Sequence, residues 1–179
     1  AFYKDIRDLL AVQSIRYESE KYGPSNYSIY MNKDYGNVKG YTFSLTKRYD
    51  PVSKTSAFVD YTYQVTEGNS VTSGSFYYNA LSGEQEEKRI VPLAWDQRHI
   101  LNTNVSVGDP RNWNLGIISK LSSGWPYTPN IPDANYVPQP NSGRKPWQWR
   151  VDMRLHKNFK VGKLNYLVFM KVYNLLDRR

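Results

Sequence analysis

The chain has 179 residues, a formal net charge of +8 and no cysteine, which removes disulfides, thiol nucleophiles and thiolate metal sites together. Its mean hydropathy of −0.69 and the lack of any apolar run near ~20 residues exclude a transmembrane helix. A membrane protein built from strands stays open, because such strands alternate apolar and polar residues and average out as hydrophilic.

The pI near 9.5 would suit an anionic partner, yet the lysines and arginines are scattered over turns and strand faces, so nucleic acid is not expected. Sixteen Tyr, five Trp and six Phe suit positions with one end in an apolar phase and one end wet. A Tyr-rich soluble sandwich would use them as well.

The chain starts without a basic region followed by an apolar one, so no signal peptide is expected, and both ends read as cuts inside a larger structure. Residues 1–17 mix apolar and charged side chains, and Ile6, Leu9, Leu10, Val12 and Ile15 fit a helix as well as a strand. Residues 18–28, broken by Gly23-Pro24, read as a loop. A strand follows over 31–48, where Gly36 and Gly40 suggest a bulge or close packing and Tyr41, Phe43 and Leu45 share one face.

A compact turn at 49–54 leads to a strand over 56–66, in which Ala57, Val59, Tyr61, Tyr63 and Val65 alternate with Phe58, Asp60, Thr62, Gln64 and Thr66. Residues 68–94 form a long polar connection containing Glu84, Glu86 and Glu87, read as a solvated loop before a cation site. Alternation resumes from Arg98, with His99, Leu101, Thr103, Val105 and Val107 against Asn102, Asn104 and Ser106. A turn at 108–112 precedes a strand over 113–121. Residues 123–146 then hold six of the ten prolines, which predicts an irregular loop.

The last hairpin states the pattern most fully. Arg150, Asp152, Arg154, His156 and Asn158 alternate with Val151, Met153, Leu155, Lys157 and Phe159, and a turn near Val161, Gly162 and Lys163 leads into the aromatic and β-branched run 164–173. The expected fold is all-β, an antiparallel up-and-down meander of about seven long strands, and a segment of a large transmembrane β-barrel. Connections alternate long (18–28, 68–94, 123–146) and short (49–55, 108–112, 161–163), placing every long loop at one end. Barrels of the outer membrane have that polarity, whereas compact soluble domains seldom hold structureless loops beyond about 12–15 residues.

Several stretches resemble the C-terminal barrel region of TonB-dependent outer-membrane receptors, in the Bacteroidetes-like group with a carboxypeptidase-like regulatory domain. They are Ala1-Phe-Tyr-Lys-Asp-Ile-Arg-Asp-Leu-Leu10, Asp34-Tyr-Gly-Asn-Val-Lys-Gly40, Asp60-Tyr-Thr-Tyr-Gln64, Trp95-Asp-Gln-Arg-His99, Ser123-Gly-Trp-Pro-Tyr-Thr-Pro129 and Val172-Tyr-Asn-Leu-Leu-Asp177, in the family's order. The resemblance implies a receptor and transporter in the Gram-negative outer membrane for TonB-coupled uptake of a ligand such as an iron chelate, a vitamin or a glycan fragment. It implies as partners the membrane lipid, a plug domain and TonB, the latter two outside this chain. No plug, coupling motif or final aromatic-ended strand is read in residues 1–179, and about seven strands cannot close a barrel of about 22. The whole chain is therefore read as one partial barrel, open at both edges.

Candidate ligand contacts are Arg150, Asp152, Arg154 and His156, lining the lumen, and Trp125, Tyr127 and Tyr136, on an external loop where they would stack on a sugar or an apolar ligand. Alternating charges are equally what a water-facing strand needs to stay solvated, and Trp147 and Trp149 fit an interfacial aromatic belt. Trp95-Asp96-Gln97-Arg98-His99 concentrates polar groups where a loop enters a strand. A catalytic histidine needs a nucleophile or metal partner and none is recognisable, so the stretch reads as a hydrogen-bonded anchor. No enzyme activity, metal or cofactor is expected. The rival reading is a soluble β-sandwich that binds carbohydrate, in which Val59, Tyr61, Tyr63, Val65, Leu101, Val105, Val151, Met153 and Leu155 would lie buried under a second sheet.

Overall fold

The structure, a computed structural model, describes residues 1–19, 21, 23–69, 89–130 and 139–177. The described residues are all strand, turn and irregular segment, with no helix. The strands are β1 (Phe2–Ser19), β2 (Gly23–Asp50), β3 (Thr55–Gly68), β4 (Val91–Pro92), β5 (His99–Asp109), β6 (Trp113–Ser122), β7 (Pro126–Tyr127), β8 (Gly143–Arg144), β9 (Gln148–Val161) and β10 (Leu164–Val172). Hydrogen bonds join the long ones in the order β1-β2-β3-β5-β6-β9-β10, which is a meander in chain order; β4 pairs with β3, and β7 with β8 forms a separate ladder. The ladders β1–β2, β3–β5, β5–β6, β6–β9 and β9–β10 are antiparallel. The sheet is not closed among the described residues, since β1 and β10 end the order.

One open choice is settled and one expectation is corrected. The first residues are strand and not helix, because β2 supplies a ladder partner along nearly all of β1, from Phe2↔Gly40 to Ser19↔Gly23. For the same reason 18–28 is not a long loop. Gly23, at φ 73°, turns the chain into a hairpin, and polar residues on both arms are held by backbone pairing whatever their side chains. The ladder is irregular next to Gly36: its register shifts between the pairs Ile6↔Gly36 and Leu9↔Asp34, where Asp8 has φ 60°, and again between Leu9↔Asp34 and Leu10↔Asn32.

By contact, the chain divides into two compact units: residues 1–40, 64–97 and 125–145, and residues 41–63, 98–124 and 146–179. In the first unit Gly36 and Gly68 give room to Leu93. A Cβ on Gly68 would stand 2.8 Å from the Tyr35 carbonyl oxygen and 2.9 Å from Leu93 Cδ2. Here the close-packing reading of Gly36 is right. Val38, Val91 and Leu93 are the buried apolar residues of the described chain.

The second unit is built by register. Residues directly opposite on paired strands share a face, and the pairs Tyr61↔Leu101, Val105↔Ile117, Leu115↔Leu155, Ile117↔Met153, Leu155↔Met170 and Phe159↔Tyr166 continue one apolar face from β3 to β10. The opposite face carries Asp60↔Asn102, Asn102↔Lys120, Lys120↔Arg150, Asn114↔His156 and Arg154↔Lys171. Ser44 and Thr42 of β2 bond to Asp60 and Thr62 on the polar face, while Tyr41 stacks on Tyr63 at 5.4 Å on the apolar one. One face is therefore mainly apolar and the other mainly polar, the latter also carrying Phe58, Ile100, Ile118, Leu167 and Phe169.

Tight turns close the hairpins at one end. Residues 51–54 are held by the Asp50 carboxylate, which accepts the Val52 and Ser53 amides at 3.0 and 3.1 Å. Asp109 accepts the Arg111 amide at 2.9 Å in the same way. Gly162, at φ 61°, makes the β9–β10 turn with Lys163. Between β3 and β5, and between β6 and β9, the connections are long and include residues 70–88 and 131–138, outside the described residues.

Substituting Gly68→Ala should cost about 1–3 kcal/mol, since the methyl meets backbone as well as a flexible leucine; a urea midpoint equal to wild type would contradict the close packing. The Val52 amide, then Ser53, hold the Asp50 carboxyl below its usual range. A depressed folded pKa means that this contribution is present above the unfolded value of about 3.9 and is lost as pH falls through the folded one. A carboxyl NMR titration should place Asp50 below free aspartate, with the Val52 amide shift following the same curve.

Candidate functional site

The polar row of β9 is where the sequence placed a lumen site, and its members meet different fates. Arg150 grips Asp152 with Nε at 2.9 Å and Nη2 at 2.8 Å, and Asp152 Oδ1 also accepts the Asn174 amide at 2.8 Å. With Leu175 donating its amide to the Val151 carbonyl at 2.7 Å, this carboxylate pins the segment after β10 back onto β9. His156 stands 3.4 Å from the Pro110 carbonyl, and Asn158 takes the Arg111 carbonyl at 3.1 Å, so both help seat the β5–β6 turn. Arg154 has no carboxylate partner among the described residues and lies opposite Gly116 on one side and Lys171 on the other. The four share a face as expected and do not converge on one point.

The external-loop candidates lie in the other unit. Trp125 and Tyr127 are 41% and 42% exposed, next to and within the short β7–β8 ladder. Lys145 donates its amide to the Trp125 carbonyl at 2.9 Å, and the Tyr127 ring lies against Gly143, where a Cβ would stand 2.8 Å from it. The Trp125 backbone and the Tyr127 ring are thus held against the segment 143–145, and both residues remain exposed. Tyr136 lies outside the described residues.

The Trp95–His99 stretch is the anchor it was read to be, split into two tasks. In the first unit Asp96 is fully buried. Its Oδ1 accepts the Thr66 amide at 2.9 Å, and Arg144 pairs with its Oδ2 while Arg144 Nη1 donates to the Asp96 carbonyl at 2.6 Å. Asn141 completes the knot by donating to the Pro92 carbonyl at 2.8 Å. In the second unit His99 Nδ1 lies 2.9 Å from the Tyr61 hydroxyl, its ring stacks on Trp147 at 5.5 Å, and its backbone exchanges bonds with Ser123 at 3.1 and 2.9 Å. Neither arrangement presents an activated nucleophile. Among the described residues no cluster of His, Cys, Asp and Glu has metal-binding geometry.

Sequence reasoning missed Arg144 and Asn141, which lie far along the chain from their partners and in no recognisable motif. It also missed that Lys120 and Lys171 join the polar row of β9, which only the register reveals.

No protein-family model, curated protein or solved structure matches this chain.

Replacing Arg144 by Met removes the guanidinium that pairs with the buried Asp96 carboxylate. The substitution should destabilise by roughly 3 kcal/mol, because losing a charge partner of a buried carboxylate costs more than losing a surface pair. Denaturant unfolding of R144M against R7M, whose partner pair is exposed, measures the difference; equal midpoints would mean that the knot is not what holds the first unit.

Proposed function

We propose that this chain forms part of the wall of an outer-membrane β-barrel, with its apolar face on lipid and its polar face on a pore, in a receptor for TonB-coupled uptake. The observation that carries this reading is the apolar face of the second unit. Phe43, Leu45, Ile117, Leu155, Phe159, Val168 and Met170 are between 37% and 61% exposed, and they belong to one contiguous surface. None of the residues that a sandwich would bury, from Val59 to Leu155, is buried. An apolar patch of that extent is rare on a soluble monomer and is the normal exterior of a membrane barrel.

The spacing of the aromatic residues supports the same reading. Trp149, opposite Leu121, and Phe159, opposite Tyr166, are ten positions apart on the apolar face of β9. At about 3.3 Å per residue and a tilt near 40° they are separated by roughly 25 Å along the barrel axis, the height of the lipid-facing band. Lys157, the charged member of that row, lies opposite Trp113 at the turn end, where its amine reaches water. Lipid is thus one partner. A plug, TonB and further strands pairing with the edges of β1 and β10 are partners outside this chain. The ligand class follows from the sequence resemblance alone: an iron chelate, a vitamin or a glycan fragment.

The cysteine-free chain allows a direct test. Single cysteines replacing Asp152, Met153, Arg154 and Leu155 in turn, in chain refolded into phospholipid vesicles, should react with an aqueous maleimide in strict alternation. Positions 152 and 154 should label at least about tenfold faster than 153 and 155, as water and lipid alternate along the strand. Uniform labelling, or alternation that persists without lipid, would defeat the membrane reading.

A further inference from the structure

The register places like charges directly opposite each other at two points of the polar face. Lys120 pairs with Arg150 across β6 and β9, and Arg154 pairs with Lys171 across β9 and β10. Like-charged cross-strand pairs destabilise a sheet, so their presence asks for a compensating negative charge. At the first pair Asp152 supplies part of it, pairing with Arg150 at 2.8 Å while accepting the Asn174 amide. At the second pair no carboxylate of the described residues does so, and Asp60, on β3, accepts the Ser44 hydroxyl. Lys120, Arg154 and Lys171 are exposed and have no carboxylate partner among the described residues.

Between the two pairs stand Ile118 and Asp152, opposite each other. Beside Arg154 the surface opens at Gly116, which has no side chain, and a Cβ built there would meet only the Arg154 carbonyl oxygen, at 3.8 Å. Three strands about 4.8 Å apart and the four-residue step from Arg150 to Arg154 give a footprint of roughly 10 by 13 Å. That area suits a compact polyanion more than a folded acidic surface, which would need about 800 Å² per partner. Asn114 and His156, opposite each other beside Gly116 and Arg154, add hydrogen-bonding groups at its margin.

We infer that Lys120, Arg150, Arg154 and Lys171 form a binding site for a small polyanion, a compound with several carboxylate or phosphate groups. The site deepens the transport reading by assigning a ligand charge class to the pore-facing wall; its placement in a pore rests on that reading, while the charge imbalance stands on the register.

The experiment is calorimetric titration of the full chain in zwitterionic detergent with inorganic pyrophosphate. Wild type is compared with R154Q/K171Q and with K157Q/K160Q, which removes the same charge nearer the β9–β10 turn. The expected result is pyrophosphate binding that weakens at least about tenfold in R154Q/K171Q and by less than about twofold in K157Q/K160Q. Without anion, R154Q/K171Q should unfold at the same or a higher temperature than wild type, since a repulsion has been removed. Equal affinities in all three proteins, or a lower unfolding temperature for R154Q/K171Q without anion, would overturn the site. Binding of polyglutamate in place of pyrophosphate would overturn the small polyanion in favour of an acidic polypeptide. Cysteine labelling on lipid-reconstituted samples separates the two readings: alternation without pyrophosphate binding removes this site alone, and loss of alternation removes the pore-facing assignment.

Discussion

A sheet satisfies its backbone polar groups only when each strand has a neighbour in register, and that requirement shapes every feature of the second unit. Because side chains alternate with a period of two, a slip of one residue at any ladder would turn Met153 and Leu155 to the wet side and Asp152 and Arg154 to the greasy one. The register therefore has to be held at each hairpin, and it is. Asp50 and Asp109 cap their turns with carboxylate-to-amide bonds, Gly162 supplies a left-handed turn residue, and Asn158 is tied to the neighbouring turn through its amide nitrogen, which reaches the Asn112 carbonyl at 2.6 Å. The turns thus fix the register on which the composition of both faces depends.

The first unit solves a different problem. Its buried groups are largely polar, with Thr66, Asn69, Asp96 and Asn141 among them, so burial must be compensated by partners. Asp96 is held by the Thr66 amide and by two nitrogens of Arg144, and Asn69 accepts the Tyr35 amide at 2.8 Å while donating to Asp34 at 3.2 Å. Thr66 Oγ1 and Asn37 Oδ1 are the buried oxygens there that lack a partner. Small residues make the approach possible: Gly36 and Gly68 let Leu93 and the segment leading to Asp96 pack directly on the strands. This network ties Asp96 to Thr66 and Arg144 within the first unit.

What could be read in advance follows the range of the interaction. Alternation is local, so the faces of β3, β5 and β9 were visible residue by residue, and so were the turns, whose Asp, Pro and Gly act within a few positions. The β1–β2 hairpin was not visible, because polar residues there are held in strand form by ladder partners up to 38 positions away, as with Phe2↔Gly40. Arg144 could not be assigned to Asp96 for a similar reason: nothing near either residue marks the other. Of the proposed polyanion site, Arg150 and Arg154 were named from the pattern of β9, whereas Lys120 and Lys171 became visible only when their strands were laid beside it.

The amino-acid order by itself determined the strand period, the composition of each face and the tight turns, since these depend on each residue's own chemistry and its nearest neighbours. Only the tertiary structure decided which strands are adjacent, which charges oppose one another and which carboxylate is buried. Those depend on contacts between residues distant in the chain, and a pattern with a period of two is the same for every partner strand it could have met.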